Sequence, residues 1–261
     1  MKELIWAECE RILNKKSTKI LFMITIVFQI FVFLIYQKRW HVDNYVLKKG
    51  LEISLNSLNY SVTQLTDFNA VLIFIILPLY FTECLSLEID TGAYKMILLR
   101  PIKKWKLLVA KWIALASIYA AILCCVYLTK TLIGYIFMPR VESTNYFIIN
   151  SKLGLFDSTI YNIKYYLIIL VIHLSLLGIT SFISVIVKKP ILTFLGSIAF
   201  MIAALYLFKP MIDIFFKTAT IGHYILAGSY NLNNIYTFFL FSLCCLGASL
   251  FIWNKRIGKM V

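Results

Sequence analysis

The sequence predicts an all-α polytopic membrane protein with six transmembrane helices. Of its 261 residues, 61% are hydrophobic and only 15% are charged, whereas a soluble domain carries about 25% charged residues. The apolar residues also form separate blocks, each close to the roughly 20 residues that one helix needs to cross a bilayer. We therefore expect a single transmembrane domain over residues 1–261, with no segment left for a soluble catalytic domain.

Six apolar blocks define the predicted spans, at residues 20–36, 68–86, 105–130, 165–187, 191–208 and 236–253. Pro78 lies inside the second block and is expected to kink it, because proline lacks the N–H that continues a helix. Lys188, Lys189 and Pro190 separate the fourth block from the fifth and predict a tight turn.

Residues 1–19 precede the first block and predict an interfacial helix. Ile5, Cys9 and Ile12 recur at helical spacing, with Trp6 beside them and Arg11 on the other side. A basic amphipathic helix with a tryptophan is typical of helices that lie in the plane of the lipid headgroups. An amphipathic helix packed on the protein itself fits the same pattern, and both interpretations remain open here.

The charge distribution predicts the orientation. The net charge is +14, and 16 of the 26 Lys and Arg residues lie on the side of the membrane that holds the N-terminus. Short loops rich in Lys and Arg stay in the cytoplasm, so we expect a multi-pass plasma-membrane protein with both termini cytoplasmic. The basic residues follow the ends of apolar blocks and form no face with interleaved aromatic residues, which argues against nucleic-acid binding.

Two of the predicted outer segments also carry helical patterns. In residues 37–67, apolar side chains step by three or four: Leu47, Leu51, Leu55, Leu58, Val62 and Leu65. Between the fifth and sixth spans, Asp213 and Lys217 are four residues apart, as in an i,i+4 ion pair. We expect helices in both segments, those between spans 5 and 6 lying at the outer leaflet.

The sequence offers no catalytic or metal-binding constellation. Its cysteines lack a histidine at metal-ligand spacing: Cys9, Cys84, Cys124, Cys125, Cys244 and Cys245. Small apolar residues inside helices are the simplest interpretation. We expect no metal, no disulfide and no catalytic residue.

The segment between the second and third spans has the most specific pattern. It runs from Glu88 to Lys111 and is rich in cations. Asp90 or Thr91 can cap a short helix, and Pro101 ends it, because a residue before proline is pushed out of the α region. We expect a helix over residues 91–99 on the cytoplasmic face, suited to docking a partner, although a basic loop that only fixes topology would explain the charges.

This order of an acidic residue, a glycine, leucines and a proline among cations resembles the type-2 permease subunits of ABC transporters. In that family the segment forms a coupling helix, which fits a groove on the nucleotide-binding subunit. The matching positions are Glu88, Gly92, Leu98, Pro101, Lys104 and Lys111. The family's usual Gly-Thr order appears here as Thr91-Gly92. The interfacial helix, six spans and outer helices also resemble the family's layout.

The resemblance implies a transport subunit, not an enzyme, that works in an ATP-driven exporter. ATP and Mg would be bound by a separate ABC ATPase subunit, since the chain has no G-x-x-x-x-G-K-[S/T] motif and needs no cofactor of its own. The expected ATPase contacts are Glu88, Gly92, Tyr94, Ile97, Leu98, Arg100, Pro101 and Lys104. A second permease copy or paralogue and membrane lipid are the other implied partners. By analogy, the cargo is an amphipathic or antimicrobial peptide, a hydrophobic drug or a lipid.

Inside the spans, a few residues are candidates for other roles. His173 and Gln29 are candidates for a substrate path, because polar groups in lipid are costly. A neutral histidine bonded to a neighbouring hydroxyl is an equally simple interpretation of His173. Gly196, Ala199 and Ala203 lie on one side of the fifth span and predict helix packing, within the chain or against a second permease.

A membrane-embedded enzyme, such as a protease or an acyltransferase, is the alternative from another functional class. Such enzymes need paired acidic groups, or a histidine and an acid at helical spacing, inside the spans. Glu83 and His173 are the candidates, and no motif joins them.

Overall fold

The computed structural model describes residues 1–35, 44–48, 51–94, 102–149, 151–207 and 209–257. The chain is mostly helical. The long helices are α1 (Lys2–Asn14), α2 (Lys16–Leu34), α5 (Leu77–Asp90), α6 (Lys104–Phe137), α7 (Leu155–Val187), α8 (Pro190–Leu207) and α11 (Asn233–Ile257). The shorter helices are α3 (Tyr60–Thr63), α4 (Leu65–Val71), α9 (Lys209–Phe216) and α10 (Thr218–Leu226).

The protein is membrane-embedded. Within the described residues, five helical stretches are long and apolar enough to cross a bilayer: Lys16–Leu34, Tyr60–Asp90, Lys104–Phe137, Leu155–Val187 and Asn233–Lys255. The apolar stretch Pro190–Ala204 of α8 is shorter. A membrane crossing by α8, which would bring the number of spans to six, therefore stays a prediction.

The charges on α6 mark the thickness of the apolar layer. No charged residue lies between Lys111 and Lys130, and these 19 steps rise about 28 Å along the helix. The hydrocarbon core of a bilayer is about 30 Å thick. We name the two ends of the bundle after residues at these levels, the Glu88 end and the Lys130 end.

Both termini of the described chain lie at the Glu88 end. The α1 helix packs against α6 there, and Trp253 near the end of α11 donates an Nε1 hydrogen bond to the Lys104 carbonyl at 3.0 Å. The α8 helix starts at the same end, since Thr193 is hydrogen-bonded to Ser86 of α5 at 2.9 Å. At the other end, Tyr165 donates a hydrogen bond to the Ala219 carbonyl of α10.

Strands replace part of the predicted outer helix. Strands β1 (Asn44–Lys48) and β2 (Leu51–Ser54) form an antiparallel hairpin, and β3 (Ser143–Thr144) pairs with β4 (Leu153–Gly154). The helix prediction was wrong for Leu47 and Leu51. Steps of four are also multiples of two, so the same stripe fits one face of a strand.

The break in the second span precedes the proline. Residues Leu72–Ile76 form a π-helical turn, in which the Leu77 N–H donates to the Leu72 carbonyl. Pro78 then lies in the first turn of α5. A wider turn takes up the steric conflict that proline causes with the carbonyl four residues earlier. The helical stretch Tyr60–Asp90 therefore changes its hydrogen-bond pattern before Pro78, whereas the sequence predicted a kink at the proline itself.

Helices α7 and α11 pack closely because small residues meet at their interface. The Ser242 hydroxyl of α11 donates to the Ser175 carbonyl of α7 at 2.6 Å. A Cβ added at Gly178 would lie 2.5 Å from the Ser242 oxygens, whereas one added at Gly247 would meet nothing within 4 Å. In lipid, such close backbone contact and hydrogen bonding hold helices together.

Changing Gly178 to alanine should separate α7 from α11 and lower the unfolding temperature in detergent. Overpacking of this kind costs about 1–3 kcal/mol. The matched change Gly247→Ala should leave the unfolding temperature unchanged or raise it, because alanine favours a helix over glycine by about 1 kcal/mol. Equal unfolding temperatures for the two variants would contradict the packing described here.

Candidate functional site

The candidate site is a cluster of charged side chains at the Glu88 end, where α1, α5 and α6 meet. Glu8, Arg11 and Lys15 come from α1 and its end, Glu88 from the last turn of α5, and Lys111 from α6. Together these groups carry three positive and two negative charges. We call these five residues the ion cluster.

Glu88 is the centre of the ion cluster. Its Oε2 accepts hydrogen bonds from Arg11 Nη2 at 2.7 Å and from Lys111 Nζ, and its Oε1 accepts one from Lys15 Nζ at 3.0 Å. The Glu8 carboxylate contacts Arg11 and lies 3.5 Å from Lys111 Nζ. One carboxylate thus ties three cations from two other parts of the chain to α5.

The burial of the ion cluster makes its pairing obligatory. The side chains of Glu8 and Lys111 are 4% exposed and that of Glu88 is 7% exposed, while Arg11 is 31% exposed. Removing one partner from a buried ion pair is strongly destabilising, because the other charge is left uncompensated. Three of the five charges are therefore held away from water only because the others are present.

The sequence indicated only part of this cluster. Glu88 and Lys111 belong to the predicted segment, whereas Arg11 was predicted on the side of the helix away from Ile12, and Glu8 was not singled out. A spacing of three and four places Glu8, Arg11 and Lys15 on one face of α1, next to the inward-facing Ile12. That polar row beside an apolar row was the available signal. The α1 helix consequently packs on the protein, while Trp6 on its opposite side is 74% exposed.

The base of the predicted coupling segment is well anchored. Thr91 and Gly92 end α5, with the Gly92 N–H donating to the Ile89 carbonyl at 3.3 Å. Gly92 has a φ of 70°, which residues with a Cβ rarely adopt. Tyr94 is buried with its ring 5.7 Å from that of Trp253.

Only the start of the predicted helix 91–99 can be compared with the structure. Ala93 and Tyr94 are helical, but Thr91 belongs to the end of α5, because its hydroxyl donates back to the Leu87 carbonyl at 2.8 Å. Four predicted partner contacts lie outside the described residues, namely Ile97, Leu98, Arg100 and Pro101. Lys104 begins α6 on the other side of that segment.

Two hollows flank α1 at the Glu88 end. One of about 430 Å³ lies between α1 and the start of α6 and is lined by Leu4, Lys103 and Lys106. The other, of about 460 Å³, lies on the outer side of α1 beside Arg11 and Lys15. The partly exposed edge of the ion cluster is therefore accessible to another molecule.

His173 and Gln29 lie inside the bundle. His173 is fully buried near the middle of the apolar layer, where Nδ1 bonds to the Tyr119 hydroxyl at 2.7 Å and Nε2 to Asn69 Oδ1 at 3.0 Å. It thereby joins α4, α6 and α7. Gln29 is 2% exposed and its amide donates to the Thr25 carbonyl. The partners of His173 are a phenol and an amide, where the sequence suggested Ser or Thr.

The predicted packing residues of α8 share one side of the helix but differ in burial. A Cβ at Gly196 would lie 3.2 Å from Ile183 Cγ2 of α7, so this glycine faces the bundle. Ala199 and Ala203 are exposed. Packing within the chain thus accounts for the glycine, whereas the two alanines stay exposed.

A second buried histidine lies at the Lys130 end. His223 of α10 is fully buried, with Nδ1 bonded to the Tyr161 hydroxyl at 2.9 Å and its ring 4.8 Å from that of Tyr165. Burial lowers the pKa of His223 to about 3. The imidazole is therefore neutral at physiological pH.

Changing Glu88 to glutamine should lower the stability of the protein by about 3–5 kcal/mol, because three cations lose their shared carboxylate. The unfolding temperature in detergent measures this loss. Asp90→Asn is the matched control, since Asp90 is exposed at the end of the same helix and such changes cost about 0.5 kcal/mol or less. Similar unfolding temperatures for both variants would show that the ion cluster contributes little.

The low pKa of His223 predicts a dependence of stability on pH. An unfolded histidine has a pKa of about 6.5, so the neutral folded form is favoured fully above that pH. The stability is lost as the pH falls from about 6.5 toward 3, by about 1.4 kcal/mol per pH unit. The unfolding temperature should therefore fall less between pH 7 and pH 4 in His223→Asn than in the unchanged protein. An identical fall in both would contradict a neutral buried His223.

Comparison with known proteins assigns no function to this site. No protein family, curated protein or solved structure matches the chain. The role of the ion cluster must therefore be inferred from its own geometry.

Proposed function

We propose that this chain is the permease subunit of an ATP-driven ABC exporter and that a separate ATPase subunit drives it from the cytoplasm. The observation that carries this proposal is the ion cluster, which ties α1 to α5 and α6, the two helices that residues 91–103 connect in sequence. A partner that moves this segment would move the three helices together. Such a rigid base is what a coupling element needs to transmit force into a bundle.

The distribution of charge supports a cytoplasmic Glu88 end. Outside the ion cluster, the described side chains with some exposure at that end comprise nine cations and four acids: Lys2, Lys16, Lys19, Lys103, Lys104, Lys106, Lys188, Lys189 and Lys255, against Glu3, Glu10, Glu83 and Asp90. At the Lys130 end they are Arg140, Lys152, Lys164 and Lys217, against Glu52, Asp67, Glu142, Asp157 and Asp213. An excess of cations is typical of the cytoplasmic side. In this arrangement both termini are cytoplasmic and α8 crosses the membrane as the fifth of six spans.

A movement of the segment between α5 and α6 would be transmitted to these two helices. Glu88 lies near the end of α5 and Lys111 near the start of α6, so their ion pair closes the base of the loop that joins these helices. Arg11 and Lys15 add α1 to the same unit. Because Ser86 also bonds to Thr193, a shift of α5 reaches α8. The exposed Ala199 and Ala203 of α8 suit contact with a second permease in the membrane.

The cargo follows by analogy alone. Small exporters of this type move amphipathic or antimicrobial peptides, hydrophobic drugs or lipids, and we propose a cargo from these classes. A membrane-embedded enzyme has less support, because the buried His173 bonds to Tyr119 and Asn69 and not to an acid.

The direct test is a site-specific cross-link in native membranes. A photoreactive amino acid at position 98 should capture a phosphate-loop ATPase encoded as a separate chain, and the captured protein is identified by mass spectrometry. The matched control places the same group at Leu192, an exposed apolar residue in the first turn of α8. We expect no ATPase from the control. Capture of none from position 98, or of equal amounts from both positions, would contradict the docking assignment.

A second test measures coupling. Leu98→Asp should abolish the effect of the permease on the ATPase rate of the purified complex, while the unfolding temperature stays unchanged. A permease that transports cargo at full rate when purified without an ATPase would overturn the proposed function.

A further inference from the structure

A pocket at the Lys130 end combines opposite charges with hydroxyl groups. Its volume is about 520 Å³, and α9, α10, the chain after α10 and β1 contribute to it. Its polar lining comprises Asp213, Lys217, Thr220, Tyr224, Ser229 and Tyr230. Leu47 and Ile221 provide apolar surface. The proposed function assigns no role to this pocket.

The pocket lies at the boundary of the apolar layer. Ala219 accepts a hydrogen bond from Tyr165, the residue next to Lys164, where the charge-free part of α7 begins. The ring of Phe216 lies 5.0 Å from that of Phe74, and Phe74 is seven residues, or about 10 Å along a helix, deeper than Asp67. Phe216 is thus level with the hydrocarbon and is 51% exposed. Lys217 lies in the chain between Phe216 and Ala219 and is therefore close to this boundary.

The charges of the pocket are balanced and accessible. Lys217 Nζ lies 2.7 Å from Asp213 Oδ1, and their side chains are 62% and 47% exposed. An exposed i,i+4 pair contributes little to stability, so a ligand with both charges can replace it at small cost. A ligand with a single charge would leave one of the two groups unpaired.

We propose that this pocket binds the zwitterionic headgroup of a phospholipid with a primary ammonium, of the phosphoethanolamine type. Asp213 receives the ammonium and Lys217 the phosphate, while Tyr224 and Tyr230 line the same pocket and supply hydroxyls that can donate to phosphate oxygens. The acyl chains then lie along the exposed Phe216. A lipid is favoured over a peptide or a soluble zwitterion, because Phe216 places the pocket beside the hydrocarbon.

Choline and glycerol lipids each lack one chemical feature of the ethanolamine headgroup that the proposed contacts require. A choline headgroup keeps both charges but has no N–H to donate to Asp213, and a glycerol headgroup keeps the phosphate but has no cation. The preference should therefore be for ethanolamine over choline and over glycerol lipids with the same acyl chains. This preference requires both Asp213 and Lys217.

The test is native mass spectrometry of the purified chain with an equimolar mixture of the three lipids. We expect the ethanolamine lipid to be retained roughly fivefold more than the choline lipid, as for a charge-assisted hydrogen bond at a partly exposed site. Asp213→Asn and Lys217→Gln should each bring this ratio close to one. The matched controls Asp157→Asn and Lys164→Gln change exposed charges at the same end outside the pocket and should preserve it.

Three outcomes would overturn the proposal. Equal retention of ethanolamine and choline lipids by the unchanged protein would exclude the ammonium contact. An equal loss of the lipid preference in the control variants would show that general surface charge, and not the pocket, produces this preference. Displacement of the lipid by an equimolar amount of free phosphoethanolamine would show that the acyl chains add no affinity and would assign the pocket to a soluble zwitterion. Tyr230→Phe, which removes one hydroxyl and leaves both charges, should lower lipid retention without changing the unfolding temperature.

Discussion

The ion pair between Glu88 and Lys111 is the contact on which the arrangement of the Glu88 end depends. It joins the last turn of α5 to the second turn of α6, and both side chains are almost completely buried. Two charges in such a place are costly unless they are paired and hydrogen-bonded. Arg11 and Lys15 complete the hydrogen bonds to the Glu88 carboxylate and so fix the position of α1 against α5. The result is a base in which α1, α5 and α6 keep one geometry.

Hydrogen bonds between helices perform a similar task within the apolar layer. Lipid provides little hydrophobic drive for helices to associate, so packing of small residues and polar contacts must supply it. His173 joins three helices near the middle of the layer, and Trp112 donates to Ser181 between α6 and α7. Lys130 is buried and donates to the Gln64 carbonyl at 3.0 Å. The bundle is therefore held by specific polar contacts at several depths, in addition to the ion cluster.

The sequence predicts those features of this protein that depend on local composition. The helices that can cross the membrane are evident from apolar blocks, because the cost of placing polar groups in lipid acts on each stretch separately. The α7 helix extends beyond its predicted span to Leu155, since its first turns direct polar groups such as Ser158 and Asn162 into the protein. Hydropathy does not distinguish polar groups that face protein from polar groups that face water.

Features that depend on distant partners could not be predicted in this way. Glu8 and Arg11 look like surface charges of an amphipathic helix until Glu88 and Lys111, about 80 to 100 residues later, are placed beside them. The hairpin was mistaken for a helix because a stripe with steps of four satisfies both periods. The π-helical turn before Pro78 accommodates the proline, but the sequence predicted only a kink and not the kind of turn that absorbs it.

The central claim, that the Glu88–Lys111 pair holds the base of the bundle, is tested most directly by a double-mutant cycle. The unfolding free energy is compared for the unchanged protein, Glu88→Gln, Lys111→Met and the combination of both changes. A buried pair predicts a coupling energy of about 1–3 kcal/mol, with the double variant more stable than the sum of the single losses implies. Additive losses, with a coupling energy near zero, would contradict the claim.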